Sequence, residues 1–343
     1  MKKRIFITGG AGFIGANLVE YLIQKGCHNI KIYDNLSVGK KEYIEEVLSK
    51  FGIFKKRIYK KKITYHISHN QYPITLVLII ANILDSNALL HETKDYDAII
   101  HLAAHTRVIE SLKNPRENFT VNSIGTFNLL EAARKNKVKK FIFASSNAAV
   151  GEQIPPINEK MIPNPLSPYG ASKLYGEALC AAYYHSYGLR TVALRFANAY
   201  GPYSVHKTSV VAKFIRRVKQ KKALEIYGDG QQTRDFIHAQ DVCQAIYLSL
   251  TPYSISHTPD KVIRGGIYSE IFQIATGKEI KIIDLANVIR DLFNMRKTDI
   301  KFSSKRKGEI VKNYSDISKS RKLLDFKPNI KLKEGIKALI NQQ

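Results

Sequence analysis

Tyr169-Gly170-Ala171-Ser172-Lys173 sets a phenol and an amine four residues apart. At the start of a helix that spacing puts both side chains on one face. A free tyrosine has a pKa near about 10 and is a poor base at neutral pH. A neighbouring ammonium favours the phenolate and brings Tyr169 toward the range of general acid–base catalysis. Pro168 just before it suits a helix entry. The pair alone is a weak signal, because two surface residues often share this spacing. Ser145-Ser146 adds a hydroxyl at the end of the strand that follows Lys140. Strand carboxyl ends are where parallel sheets hold ligands, and a serine there can hydrogen-bond a substrate hydroxyl.

A second site precedes these residues. Thr8-Gly9-Gly10-Ala11-Gly12-Phe13-Ile14-Gly15 follows a short apolar strand, Ile5-Phe6-Ile7, and opens a helix over Gly12 to Lys25. Gly9 permits a tight turn, Gly12 lets the backbone approach a pyrophosphate, and Gly15 lets the helix pack closely on the sheet. The helix N-terminus offers free N–H groups and positive potential to phosphates. Asp34 ends the next strand, Asn29 to Tyr33. A carboxylate there accepts from ribose hydroxyls and repels a 2′-phosphate, which favours NAD over NADP.

These residues need a scaffold, and the hydrophobic pattern supplies one. Strands read at Leu76 to Ile80, Ala98 to Leu102, Lys140 to Ala144 and Thr191 to Phe196 alternate with helical stretches at Asn118 to Asn136 and Ser172 to Tyr187. The alternation implies a doubly wound parallel α/β sheet through residue 200. Beyond Gly201 the texture changes to prolines and short apolar runs. Helices are expected at about Val210–Gln220, Ala239–Leu250, Ile283–Phe293 and Ile317–Leu324. Residues 1–200 therefore read as the dinucleotide-binding domain, and 201–343 as mainly a smaller C-terminal α/β substrate lobe. The boundary is soft, since the chain can cross between lobes. The lysine-rich stretch at about 50–75 reads as an insertion, and as a solvated, mobile loop rather than an anion or membrane-surface contact.

Composition narrows the function classes. The chain has 343 residues, 44% hydrophobic, enough for a sizeable core. Its formal charge of +25 comes from lysines spread along the whole length. That distribution argues for a solvated basic surface, with no nucleic acid as partner, and still draws in a diphosphate. Cys27, Cys180 and Cys243 are far apart, so neither a disulfide framework nor a metal site is expected, and a reducing cytoplasm fits. The apolar run before Thr8 is too short for a signal peptide. No stretch nears the roughly 20 apolar residues of a membrane span.

The glycine turn, His101-Leu102-Ala103-Ala104, Ser145-Ser146, the Tyr169–Lys173 motif and Arg234-Asp235-Phe236-Ile237-His238 together resemble the extended short-chain dehydrogenase/reductases. Within them the likeness is to the NAD-dependent epimerase/dehydratases, nearest to UDP-glucose and UDP-N-acetylglucosamine 4-epimerases. It covers nearly the whole chain except the lysine-rich stretch. The resemblance implies a Rossmann-type fold, an NAD cofactor, a nucleotide-sugar substrate and a homodimer built on the helices of Asn118–Asn136 and Ser172–Tyr187. It implies that Ser146 and Tyr169 bond the sugar's 4-hydroxyl, and that Lys173 holds the nicotinamide ribose. Gly9, Gly12, Phe13, Ile14, Gly15, Asp34, Asn35, Asn82, Ile83, Leu102, Ala103 and Ala104 would form the cofactor site. Asn198, Arg234 and Arg306 would contact the substrate diphosphate, as guanidinium geometry suits. Asn313 would set pocket width.

Two departures bear on the reaction. Asn82 stands where the family usually has an aspartate for the adenine amine. Asn147-Ala148 stands where the 4,6-dehydratases carry Asp-Glu, and the glucuronate decarboxylases a nearby Glu. Without that carboxylate, epimerisation is favoured over elimination of water or loss of carbon dioxide. A reductase, dehydratase or decarboxylase of the same family, a non-catalytic dinucleotide-binding protein, and a polyanion or membrane-surface protein acting through the lysine-rich stretch are the rivals.

Overall fold

The computed structural model describes residues 3–68, 73–204, 207–251, 266–295, 299–305 and 310–341. β1 (Arg4–Thr8) buries Ile5, Phe6 and Ile7 in succession, as a strand covered on both faces must. α1 (Phe13–Gln24) returns the chain to β2 (Asn29–Asp34), which pairs parallel with β1. After α2 (Lys41–Ser49) come β3 (Phe54–Tyr59), β4 (Lys62–Ile67) and β5 (Ile74–Ile80). α3 (Ser86–Glu92) leads to β6 (Ala98–His101). α4 (Val108–Lys113), α5 (Pro115–Phe119), a π-helical turn at Thr120–Ile124 and α6 (Gly125–Lys135) follow. β7 (Lys140–Ser146), α7 (Pro168–Tyr187) and β8 (Arg190–Phe196) complete the alternation.

The remaining elements are β9 (Asn198–Tyr200), α8 (Val210–Lys219), β10 (Leu224–Tyr227), β11 (Thr233–Arg234), β12 (Phe236–His238), α9 (Ala239–Leu250) and β13 (Glu270–Ile274). β14 (Ile280–Lys281), α10 (Ile282–Leu292), β15 (Ile300–Ser303), α11 (Ser318–Leu324) and α12 (Leu332–Asn341) end the chain.

The main sheet has nine strands in the order β13-β8-β7-β6-β1-β2-β5-β4-β3. It is parallel from β13 to β5, the doubly wound sheet the alternation predicts. One face packs with α1, α2 and α9 into a core that includes Leu18, Ile32, Val47 and Val242. The other packs Phe6, Leu129, Phe141 and Phe143 under α3, α6 and α7. Beyond residue 201 the chain returns to the main sheet. α9 packs on α1, and β13 pairs with β8 at the sheet edge. A third core gathers around Phe214, Leu224, Leu285 and Ile336.

Two expectations are corrected. The lysine-rich stretch is not a loop. β3 and β4 form an antiparallel hairpin that extends the sheet beyond β5. Ile63, Tyr65 and Ile67 alternate inward, so period-two burial holds the segment despite its charge. α12 is an additional helix, and its Ile336 and Leu339 are buried in the third core.

Candidate active site

The glycine turn joins β1 to α1 under tight constraint. Gly9 lies at φ 69, and a Cβ there would stand 2.7 Å from the Ala103 nitrogen. A Cβ on Gly15 would stand 2.4 Å from the Gly9 carbonyl oxygen. At Gly12 the only near atom is that same oxygen, at 3.3 Å, and no side chain caps the helix that starts at Phe13 and Ile14. The first-turn amides of α1 thus stand at a concave backbone surface that accepts a diphosphate. In Gly15→Ala the new methyl meets backbone atoms of Gly9 and Gly10, so α1 must shift. Overpacking of this kind costs about 1–3 kcal/mol. We expect the variant to purify without bound dinucleotide, by absorbance of the released cofactor, and to unfold at lower denaturant.

Asp34 is cinched to this turn. Its Oδ2 accepts from the Ala11 amide at 3.0 Å and its Oδ1 from Leu36 at 2.9 Å. Burial pushes its carboxyl up, and the two amides oppose that. Asn35, Ser37, Asn82 and Lys113 line a cleft of about 710 Å³ beside it. The Asn82 side-chain carbonyl accepts from the Leu84 amide at 3.0 Å, one lone pair already engaged. Ile83 packs against Gly125, and Leu102, Ala103 and Ala104 follow β6, with Ala103 N–H donating to Thr8 Oγ1 at 3.3 Å. His101 is a satisfied core histidine. It sits between the hydroxyls of Thr8 and Thr126 at 2.7 and 2.9 Å, and burial drives its pKa down to about 3.

Ser146, Tyr169 and Lys173 meet where β7 ends and α7 begins. Ser167 caps α7 by accepting from the Gly170 amide at 3.1 Å, and Pro168 opens its first turn. Tyr169 and Lys173 are 8% and 4% exposed, one turn apart on the face toward β7. A Cβ on Gly176 would be 2.2 Å from the Phe143 ring, so glycine lets α7 approach that closely. Ser146 caps the short turn at Asn147–Ala149, and its hydroxyl lies close enough to the Tyr169 phenol to lower its pKa. Lys173 Nζ donates to the Ala144 carbonyl at 2.8 Å and stands 5.9 Å from the Tyr169 ring centre.

The electrostatics differ from the sequence expectation. Burial is the dominant effect and raises the Tyr169 pKa, while the Ser146 hydroxyl opposes it. Burial also pulls Lys173 down to about 8, opposed by Glu177. The ammonium that was to acidify the phenol is itself desolvated.

Other residues brace the site, and of these Glu177, Asn122, Ser315 and Lys207 carry no motif signal. Glu177, one turn beyond Lys173, takes a bidentate hydrogen bond from Arg195 at 2.8 and 2.7 Å and one from Ser145, all buried. Asn122, in the π-helical turn, donates to Ser172 Oγ at 3.0 Å and braces α7. Asn147 donates to Asn313 at 3.3 Å and Ser315 at 2.9 Å, which ties Asn313 to the residue that follows Ser146. Lys207 Nζ stands 4.7 Å from the Phe13 ring centre, a cation over the glycine turn.

Asn198 lies exposed on β9, its amide donating to the Asp235 carbonyl. Arg234 Nη1 donates to the carbonyls of Thr233 and Ile310 at 2.7 and 2.9 Å. Arg306 lies outside the described residues. Among the described residues no His/Cys/Asp/Glu group of metal-binding arrangement occurs, and no helix is long and apolar enough to cross a membrane. The three cysteines are buried and free.

The model of the NAD dependent epimerase/dehydratase family matches residues 5–263. The chain belongs to that family. A putative UDP-glucose 4-epimerase of Methanocaldococcus jannaschii is 34% identical over 341 residues, spanning 98% of this chain and 97% of that protein. The UDP-N-acetylglucosamine 4-epimerase of Methanobrevibacter ruminantium, solved with UDP-N-acetylmuramic acid, superposes with a TM-score of 0.82 at 31% identity, over 99% of this chain and 98% of that one. The UDP-glucuronic acid 4-epimerase of Bacillus cereus, solved with its UDP-sugar and NAD, gives 0.82 at 27% identity, over 98% of each. A decarboxylase and a 4,6-dehydratase at 31% identity also stand among the relatives. The resemblance read from the motifs thus holds at the level of an NAD-dependent epimerase/dehydratase enzyme, across several reactions.

Proposed function

We propose that this epimerase/dehydratase is a 4-epimerase of a nucleotide-activated hexose, UDP-glucose/UDP-galactose or their N-acetyl forms. One observation carries the choice of reaction. Beside the Ser146–Tyr169–Lys173 cluster stand Asn147, held by Asn313 and Ser315, and Ala148, so no carboxylate follows the catalytic serine. Glu177 is committed to Arg195 and Ser145.

The residues fit NAD. Gly9, Gly12, Phe13, Ile14 and Gly15 would hold its diphosphate, with Lys207 above Phe13. Asp34 and Asn35 would take the adenosine ribose, Asn82 and Ile83 the adenine side, and Leu102, Ala103 and Ala104 the wall beneath. Bound there, NAD supplies the oxidant for a secondary alcohol and returns the same electrons to the ketone. Tyr169 Oη would take the 4-hydroxyl proton and later give it back, Ser146 would orient that hydroxyl, and Lys173 would hold the nicotinamide ribose and set the proton balance. Asn198, Arg234 and Arg306 would bind the substrate diphosphate. Exposed Ile109, Leu112, Phe119, Phe127 and Tyr175 on α4 to α7 suit a homodimer, and the buried free thiols suit the cytoplasm.

Incubation with a panel of UDP-sugars, read by NMR, tests this. The expected product is the C4 epimer without net NADH. A 4-keto-6-deoxy sugar, released carbon dioxide or net NADH would refute epimerisation. Comparing UDP-galactose with UDP-N-acetylgalactosamine tests whether Asn313 leaves room for the acetamido group.

The pH profile has a defined direction. The competent base is the Tyr169–Lys173 pair short of one proton, and that proton leaves most easily from Lys173, at about 8. We expect kcat/KM to rise with pH up to an apparent pKa at or below about 8 and then level off. Stability follows the same sign: between about 8 and the ordinary 10.5 the folded chain has shed a proton the unfolded chain retains, so stability grows with pH there. A rate that falls through this range would overturn the assignment.

A further inference from the structure

We infer that the β3–β4 hairpin docks the enzyme on an anionic phospholipid surface. From Val47 to Leu84 the sequence has no Asp or Glu, yet it carries Lys50, Lys55, Lys56, Arg57, Lys60, Lys61 and Lys62. The fold sorts these cations. Ile63, Tyr65 and Ile67 face the core, and Lys56 pairs with Glu45 of α2 at 2.7 Å. The opposite face brings Lys55, Arg57 and Tyr59 of β3 into register with His66, Thr64 and Lys62 of β4. Lys60 and Lys61 make the turn, with Lys60 at φ 50. Among the described residues none of Lys55, Arg57, Lys60, Lys61 and Lys62 has a carboxylate partner. Tyr59, 68% exposed, shares that face; Ile58, 61% exposed, stands on the reverse face beside the turn, and Ile53, 95% exposed, just precedes β3.

The combination selects the occupant. Phosphate headgroups neutralise the lysines and arginine, while the headgroup boundary accepts tyrosine and isoleucine side chains. A second copy pairing along the free edge of β3 would appose Lys55, Lys56 and Arg57 with their own kind, the arrangement that keeps edge strands apart. A polynucleotide would reward the cations and stack on Tyr59, but would leave Ile53 and Ile58 unmatched. The turn also lies at the carboxyl end of the parallel strands. The Ile80 amide donates to the Lys61 carbonyl at 2.8 Å, and Ile80 pairs with Asp34. Docking would therefore turn the edge that carries the candidate active site toward the lipid.

Sedimentation of the full chain with vesicles tests the inference, using phosphatidylcholine alone or mixed with phosphatidylglycerol, at low and raised salt. We expect partitioning at least about tenfold stronger on the anionic vesicles, weakening as salt screens the charges. The variant Lys55→Gln/Arg57→Gln/Lys60→Gln/Lys61→Gln/Lys62→Gln should lose that preference, and Ile58→Ser/Tyr59→Ser should lose the part that survives salt. A control that removes the same charge elsewhere, Lys137→Gln/Lys278→Gln/Lys327→Gln/Lys333→Gln/Lys337→Gln, should keep it. Unchanged turnover and melting in the hairpin variants would show that the loss is not unfolding. Equal binding to both vesicles, equal loss in the control, or indifference to vesicles with capture of single-stranded RNA by the same five cations would overturn the proposal.

Discussion

Tyr169→Phe should lower turnover by roughly a thousandfold, the scale of a positioned proton donor and acceptor, while dinucleotide still copurifies. The ring stays in its pocket, since Tyr169 is 8% exposed and its backbone amide donates to Ser111 Oγ at 3.2 Å. Lys173 keeps its bond to the Ala144 carbonyl, so the cofactor side of the pair is preserved. Only the hydroxyl that meets Ser146 is lost. Ser146→Ala should cost less, because it removes the partner that lowers the phenol pKa but leaves the phenol itself. Single-turnover kinetics and absorbance of the released cofactor separate the two readouts. Wild-type turnover in Tyr169→Phe would end the acid–base assignment. Loss of dinucleotide together with turnover would move Tyr169 from chemistry to cofactor binding.

What the sequence could reveal was local. The glycine turn is a backbone requirement written in consecutive residues, and the structure places Gly9 and Gly15 where any Cβ collides. Asp34 and the Tyr169–Lys173 spacing were legible for the same reason. The hairpin was not, because its inward Ile63, Tyr65 and Ile67 alternate with polar residues inside a run whose charge dominates the pattern. Nor was the balance of pKa effects. Four-residue spacing says that an ammonium stands near the phenol, but the depth of burial, which decides the sign for Tyr169, comes from α7 lying on β7. Asn122 became a brace for α7 only through a π-helical turn that no periodicity announces. The Glu177–Arg195 pair needed strand order: Arg195 on β8 reaches α7 beside Ser145 because β8 lies next to β7.

That pair carries the largest expected effect on stability. Arg195 is 1% exposed and Glu177 3%, and the guanidinium meets both carboxylate oxygens. Removing one partner of such a pair strands a buried charge and costs about 3–5 kcal/mol, a large part of a domain's net stability. Arg195→Met should therefore shift urea unfolding by about that amount. The double variant Arg195→Met/Glu177→Gln should recover much of it, because neither charge then remains. Additive losses would mean that the two side chains fill space independently. The two single variants, Glu177→Gln and Arg195→Met, act on the site with opposite sign. Glu177 opposes the fall in the Lys173 pKa, so Glu177→Gln should move the rising limb of the pH–rate profile to lower pH. Arg195→Met keeps the carboxylate and removes the cation that offsets it, so its limb should move to higher pH. A network that served only packing would change stability in both variants and leave both limbs where they were. Opposite displacement of the two limbs is the signature of a charge that sets the proton balance of Lys173 from behind the catalytic helix.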